Sequence, residues 1–316
     1  MCRCRQGVLR RPRGEIRQRH PRRGGQRGGA LNESAFVAAL RALADTPAAR
    51  GLDDDTAIFE IGGEQLVLTH DTLVQGVHVR EDEDPADIAW KLVAVNLSDL
   101  AAKGAAPVGV LVSHMLGDAD ERFVAGLREV LETYATPLLG GDTVRADGRR
   151  VWGCTAIGRA THTPVPDRRS ARAGDAIFVT GTLGRAMLGM ADRGSGSADD
   201  LAYRRPRPLL AEGRALAPHV GAMMDISDGL LLDSWRMTKA SDVGFDLARA
   251  AIPVADPERA DECMRWGDDY QLLFTASPHA DLPVPATRIG TVAEGPARVA
   301  LDGDFLTPED GLGYRH

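Results

Sequence analysis

Aspartates recur in this chain where apolar segments end or are interrupted, and this limits the folds and chemistries open to it. They stand at Asp53-Asp54-Asp55, at Asp71 beyond the run Leu66-Val67-Leu68, at Asp99, at Asp142 after Gly140-Gly141, and at Asp225 and Asp228 around Ile226-Ser227. One aspartate at a strand end is ordinarily a turn former or a helix cap. Separate loops that each deliver a carboxylate suggest hard divalent cations held among oxygens. In an α/β protein the ends of buried strands are where ligands gather.

At 316 residues two globular domains are the default. A hydrophobic content of 43% suffices for packed cores, and no apolar run approaches transmembrane length, so no membrane partner is expected. Residues 1–30 hold ten Arg against the single acid Glu15, a net of +9, so the chain's −7 leaves −16 on the remainder. An acidic body argues against nucleic acid as a partner and fits metal-mediated contact with anions. Cys2 and Cys4 lie in the basic stretch, and Cys154 and Cys263 are isolated; no spacing resembles a zinc site or a disulfide framework, which suits a reducing cytoplasm. Lysine occurs only at 91, 103 and 239.

Residues 1–30 lack the apolar stretch of a secretory signal, and their composition cannot build a core. The expectation is a disordered basic tail, a first domain over 31–160 and a second over 161–316, with the boundary in the proline cluster at 161–166. Asn32 or Ser34 can cap a helix to about residue 44. A strand over 56–61 turns at Gly62-Gly63 into a buried strand over 65–69 with Asp71 at its tip. Asp84-Pro85 opens a helix that Gly104 stops. Its stripe of Ile88, Leu92 and Val95 continues onto Asp99, where a carboxylate is costly unless paired or bound to a cation.

A strand over 108–115, a helix over 120–134, a short buried strand over 137–139 ending at Asp142, and a strand over 151–160 complete a β–β–α–β–α–β–β order. That order specifies a mixed sheet with helices on one face. In the second half, a strand over 175–180 leads through Gly181-Thr-Leu-Gly184 into a helix to 192, a turn able to bind phosphate on backbone amides. A loop over 195–200 follows. Helices are expected over 210–216, 230–240 and 259–265, and strands at 222–224, 243–247, 271–276, 288–293 and 297–301.

Six aspartates (Asp55, Asp71, Asp99, Asp142, Asp225 and Asp228) are too many for a general acid and base alone. Two-metal sites use carboxylates to clamp the attacking and leaving oxygens of phosphoryl transfer, which makes ATP–Mg2+ chemistry the natural candidate. The chain has no Gly-x-x-x-x-Gly-Lys-Ser/Thr loop and no His-Arg-Asp loop, so it is not a familiar kinase type.

The run Asp87-Ile-Ala-Trp-Lys-Leu-Val-Ala-Val-Asn-Leu-Ser-Asp-Leu-Ala-Ala-Lys-Gly-Ala resembles the thiamine-monophosphate kinase family. So do Leu139-Gly-Gly-Asp-Thr, Val179-Thr-Gly-Thr-Leu-Gly, Asp225-Ile-Ser-Asp-Gly-Leu and Gly267-Asp-Asp-Tyr-Gln-Leu-Leu-Phe. That family belongs to the aminoimidazole ribonucleotide synthetase (PurM-like) superfamily. The motifs keep their register over about residues 31–316 and are specific together. The resemblance implies a PurM-like two-domain fold of α/β (α+β) type, with a mixed-sheet N-terminal domain that binds ATP and Mg2+ and dimerises, and an α/β C-terminal domain. It implies transfer of the ATP γ-phosphate to thiamine monophosphate, in thiamine diphosphate biosynthesis, by a cytoplasmic homodimer with several Mg2+ per site.

By motif position, Asp55, Thr69, Asp71, Asp99, Asp142, Asp225 and Asp228 match metal-binding residues. Gly141, Asp142, Ser227 and an Arg at 168 or 169 match ATP-binding ones. His78, Asp268 and Tyr314 match positions near the thiamine substrate. The chain departs from the family with Asp53 for Gly, with His70 for Thr, and with Trp266-Gly267-Asp268-Asp269-Tyr270-Gln271 for Gly-Gly-Glu-Asp-Tyr-Glu.

Another superfamily member with a different acceptor is the alternative enzyme. Selenophosphate synthetase needs a reactive Cys or selenocysteine with Lys early in the fold, and the hydrogenase-maturation relative needs a C-terminal Cys. This chain has neither: it ends Gly313-Tyr-Arg-His. A metal- or nucleotide-binding protein without turnover is the non-enzyme alternative, against which the retention of all six aspartates speaks.

Overall fold

The computed structural model describes residues 33–314. The basic tail over 1–30 and the Asn32 cap lie outside the described residues. Helix α1 (Glu33–Arg41) precedes a hairpin of β1 (Ala57–Ile61) and β2 (Glu64–Val74). Gly62 and Gly63 both take positive φ (62° and 82°), as a tight two-residue hairpin turn requires. β2 is longer than predicted. Thr72-Leu73-Val74 resumes the alternation with Leu73 buried, and the ladder to the later strand β5 runs from Leu66 to Val74. Asp71 therefore stands mid-strand opposite Cys154, not at a strand tip: ladder pairing overrides the low strand preference of one Asp.

Helix α2 (Pro85–Ala102) starts as expected. The Asp84 side chain accepts from the Ala86 amide at 2.9 Å, Pro85 takes the first position, and Gly104 at φ +59° follows the end. The predicted stripe of Ile88, Leu92, Val95 and Asp99 is buried, but so are most residues between. α2 is not a surface helix. It lies between the first sheet and the second half of the chain.

β3 (Ala105–Met115), α3 (Asp120–Thr133), β4 (Leu138–Val144) and β5 (Val151–Ala160) complete a five-stranded mixed sheet in the order β1-β2-β5-β3-β4. β4 pairs parallel with β3 at the sheet edge and is exposed along its length, where a buried strand ending before Asp142 is predicted. Its Leu138-Leu139 pair looks like core in sequence, but no element among the described residues covers the edge it occupies. Val67, Leu73, Val110, Trp152 and Ala156 form a core with α2 and with Phe123, Leu127 and Val130 of α3.

Beyond it come β6 (Ala176–Val179), α4 (Arg185–Ala191), α5 (Ala198–Arg204), α6 (Leu210–Leu216), β7 (Met223–Asp225), α7 (Leu230–Ser241) and β8 (Gly244–Leu247). α8 (Ala260–Trp266), β9 (Leu272–Ala276), β10 (Thr287–Ala293), β11 (Arg298–Leu301) and β12 (Asp304–Leu306) follow. The strands form a seven-stranded sheet, β12-β11-β8-β10-β6-β9-β7. One face packs on α7 through Ile177, Val179, Met224, Leu231 and Phe245. The other carries the stacked pair Phe178–Phe274, with centroids 5.4 Å apart, against Leu216 of α6. α5 replaces part of the loop predicted over 195–200. Ser197 accepts from the Asp200 amide, and Asp199 and Asp200 suit the positive end of a helix.

α2 packs on β2, β3, β5 and α3 on one side and on α6 and β7 on the other. The approach of α6 depends on Gly213, where a Cβ would stand 1.9 Å from the Ala101 carbonyl oxygen. On an exposed helix Gly→Ala gains about 1 kcal/mol. Here Gly213→Ala should instead lose roughly 1–3 kcal/mol in urea denaturation, because overpacking wins. Equal or higher stability would show that α6 can move off α2 freely.

Candidate functional site

Three carboxylates converge where the two sheets face α2. Asp55 follows the turn before β1, Asp99 lies near the C-terminal end of α2, and Asp225 closes β7. One oxygen from each lies within 4.8 Å of the others. Asp99 and Asp225 are buried and Asp55 is exposed. Thr69 of β2 donates its hydroxyl to Asp99 Oδ2 and, at 3.3 Å, to the Asp55 carbonyl. Ser98 Oγ donates to Asp225 Oδ2 at 2.5 Å. Burial pushes the Asp99 carboxyl well above its usual range, and the neighbouring Asp71 and Asp225 push it further. Burial likewise raises Asp225. Concentrated carboxylate oxygens whose charges repel in a dry setting suit a hard divalent cation, so the residues fit the Mg2+ that the resemblance implies.

Asp54 turns away from this trio into a set of cations. Its side chain is fully buried and pairs with Arg50 and with Lys103 Nζ at 2.6 Å. Arg168 Nε stands 3.8 Å from Asp54, while the Arg168 guanidinium also pairs with Asp55. Burial alone would raise the Asp54 carboxyl, but Lys103, Arg168 and Arg50 outweigh it and hold it below the usual range. Of the two arginines that sequence leaves open, Arg168 is buried against the site, whereas Arg169 pairs with Asp167.

The other β2 and β4 residues divide between the two faces of the first sheet. Asp71 is half-buried on the α2 side, its amide donating to Asn96 Oδ1 at 3.1 Å. Asp142 aligns with Ser113, which aligns with Gly153 and Thr72, so alternation puts Asp142 on the opposite face. His70 shares that open face, with Nδ1 2.9 Å from Thr155 Oγ1, so it is not part of the trio. Gly141 takes φ +157°, and a Cβ there would meet the Val112 carbonyl oxygen at 1.9 Å. Only glycine fits this parallel pairing beside Asp142.

Two of the residues matched to the thiamine substrate, Asp268 and Tyr314, hang on the loop after β7. The Asp268 amide donates to the Ser227 carbonyl at 2.7 Å, and the Tyr314 amide to the Asp228 carbonyl at 2.9 Å. Ser227 is exposed, and the Asp228 carboxylate accepts from Arg236 at 2.5 Å. The His78 and Tyr314 rings meet edge-on with centroids 6.4 Å apart. Asp268, at φ +62°, is held by Lys91 and by the Tyr270 hydroxyl at 2.9 Å. The phosphate-binding reading of Gly181–Gly184 meets a competitor, because the Gly184 amide already donates to Asp269 Oδ1 at 2.7 Å.

Sequence reasoning missed several supporting groups. Asp233 is buried in α7 and accepts from the Ser227 and Asp228 amides at 3.1 and 3.0 Å; burial raises its carboxyl to about 6. Asp233 follows the Asp-Ile-Ser-Asp-Gly motif by one helical turn, and that spacing was the available signal. Lys91 and Lys103, two of only three lysines, were another.

Residues 53–160 match the family described as AIR synthase related protein, N-terminal domain, and residues 172–300 its C-terminal domain. The thiamine-monophosphate kinase of Escherichia coli K12 is 38% identical, with 84% of this chain and 91% of that protein covered. That of Caulobacter vibrioides is 36% identical, over 85% and 82%. Among solved structures, AaThiL complexed with AMPPCP and TMP superposes with a TM-score of 0.82 at 27% identity, covering 90% of this chain and 97% of that one.

The raised carboxyls make a signed pH expectation. Folded Asp99, Asp225 and Asp233 retain protons that the unfolded chain has released above 3.8, so their contribution to stability falls as pH rises, for Asp233 up to about 6. In EDTA the Tm should therefore drop between pH 5 and pH 8. Asp99→Asn should raise the metal-free Tm at pH 8, by roughly 2–4 °C per kcal/mol of repulsion removed. A metal-free Tm lowered by Asp99→Asn at pH 8 would mean that the trio is already neutralised by its cations.

Proposed function

The chain belongs to the thiamine-monophosphate kinases, within the AIR synthase related family, and from that premise we propose how its own residues serve the reaction. It transfers the γ-phosphoryl group of ATP to a phosphate oxygen of thiamine monophosphate, giving thiamine diphosphate and ADP. The observation that carries the residue-level reading is the convergence of exposed Asp55 with buried Asp99 and Asp225.

The acceptor needs little activation. Its second pKa is about 6, so near neutrality the attacking oxygen is already mostly ionised and no general base is required. The Cys154 thiol is no competing nucleophile, because burial, with Asp71 beside it, pushes it up to about 12. The difficulty is to bring two polyanions together within an acidic protein. Mg2+ held by the trio, with Thr69, Asp71, Asp142 and Asp228 as further ligands, would neutralise that repulsion and the charge of the transferring group. Gly141 lets backbone approach a phosphate, and the Ser227 hydroxyl and the Arg168 guanidinium serve the nucleotide. His78, Tyr314 and Asp268 face the thiamine moiety, and Lys91 and Tyr270 fix the shorter Asp268 carboxylate in place.

Residues 31–160 then form the dimerising domain and supply most of the ATP and Mg2+ ligands, with Arg168, Asp225, Ser227 and Asp228 contributed by 161–316, the second domain. Support for a homodimer comes from the open face of the first sheet. It exposes Phe59, Ile61, Leu111, Val144 and Val151, an apolar surface that a second copy would cover. Asp142 stands on that same face, away from the trio, so pairing of two such faces would bring it to a shared interface. A cytoplasmic location suits the buried, unbonded Cys154 and Cys263. Among the described residues no helix is long and apolar enough to cross a membrane.

With ATP and Mg2+ the purified protein should convert thiamine monophosphate, and not free thiamine, to the diphosphate. No product above a no-enzyme control would overturn the reading. Asp71→Asn and Asp142→Asn should each fold, need more Mg2+ and lose turnover on the order of a thousandfold. In sedimentation velocity the protein should run as a dimer and Leu111→Asp as a monomer; a wild-type monomer at micromolar concentration would remove the dimer.

A further inference from the structure

Lys103 is a lysine with almost no access to water. It is 1% exposed, at the C-terminal end of α2, with Nζ 2.6 Å from Asp54 Oδ1 and donating to the Met223 carbonyl at 3.2 Å. It thereby joins the Asp53–Asp55 turn, α2 and β7, the three elements that deliver the carboxylate trio. Burying an ammonium is expensive unless it is paired and hydrogen-bonded, so its place needs a reason beyond packing. Arg50 and Arg168 also face Asp54, but Arg50 is shared with Asp167 and Arg168 with Asp55. The Lys103 charge lies among the elements that carry the trio: four residues beyond Asp99 at the end of α2, against the neighbour of Asp55, and on the carbonyl two residues before Asp225.

We infer that Lys103 is a built-in cation of the site, a positioning residue that holds the trio together and limits how tightly it takes divalent ions. The inference rests on the trio being a divalent-cation site, as proposed above. A fixed charge that offsets part of the carboxylate repulsion keeps the three oxygens close when no ion is bound. The same charge opposes an incoming divalent cation, so ions are held weakly until a nucleotide adds its phosphates. At an effective dielectric constant near 20, a unit charge even about 10 Å from a bound ion is worth about a factor of ten or more in affinity.

The sign of the effect can be read without turnover. Mn2+ is titrated into the full-length protein without nucleotide, and free Mn2+ is followed by electron paramagnetic resonance. Lys103→Met should bind Mn2+ about tenfold more tightly than wild type. Lys103→Arg keeps the charge and should stay near wild type. The pair Asp54→Asn with Lys103→Met removes one charge of each sign and should also return near wild type. Asp54→Asn alone leaves Lys103 uncompensated and should weaken binding by about the same factor; this arm decides the matter even if Lys103→Met does not fold. Unchanged affinity in Asp54→Asn, or equal or weaker binding in Lys103→Met, overturns the inference. Wild-type protein that phosphorylates thiamine monophosphate yet binds no Mn2+ without nucleotide overturns both the trio reading and this inference, and leaves the kinase assignment standing.

Discussion

The fold is organised around like charges held close together in a dry place. Asp99 and Asp225 are buried and stand with Asp55 within a span that a single ion could bridge. Left alone, such carboxylates repel, and burial deepens the cost. The chain offsets this with hydroxyls from Thr69 and Ser98 and with the guanidinium of Arg168. What these groups leave uncompensated is the repulsion that the proposed divalent cation would relieve.

That arrangement needs a scaffold that does not yield. α2 supplies it by being buried on nearly every side, between a five-stranded sheet and a seven-stranded one. A helix enclosed in this way cannot rotate Asp99 into solvent. The close contact at Gly213 and the pairing of Arg168 with Asp54 and Asp55 seal the approach of the two halves. In the loop after β7, Asp233 holds the Ser227 and Asp228 amides, and that loop in turn carries Asp268 and Tyr314 by backbone hydrogen bonds. The residues proposed for metal, nucleotide and substrate are thus coupled through main chain, which is stiffer than contact between side chains.

The chemistry follows from what the site lacks as much as from what it holds. The acceptor phosphate arrives ionised, so no side chain has to be poised to remove a proton. Evolution of such a site is free to dispense with an activated serine, cysteine or histidine and to spend its polar residues on charge neutralisation and position. His70 illustrates the point: it sits on the far face of the sheet with Thr155 and leaves the trio to oxygen ligands.

The sequence by itself determined the local elements and the chemical class. The Asp84-Pro85 start and Gly104 stop of α2, the Gly62-Gly63 hairpin, the succession of elements along the first half of the chain and the buried Asp99 were legible because caps, turns and apolar periodicity are local properties. Even the missed helix α5 carried its signal in Ser197 and the acids after it. Tertiary structure alone decided which aspartates meet. Asp71 and Asp142 look alike in sequence, each beyond an apolar run, yet ladder pairing puts them on opposite faces of one sheet. Nor could spacing show that Lys103 and Asp54, 49 positions apart in number, share one buried ion pair. Partners of that kind are chosen by the docking of α2 between two sheets, a long-range packing event that no window of sequence contains.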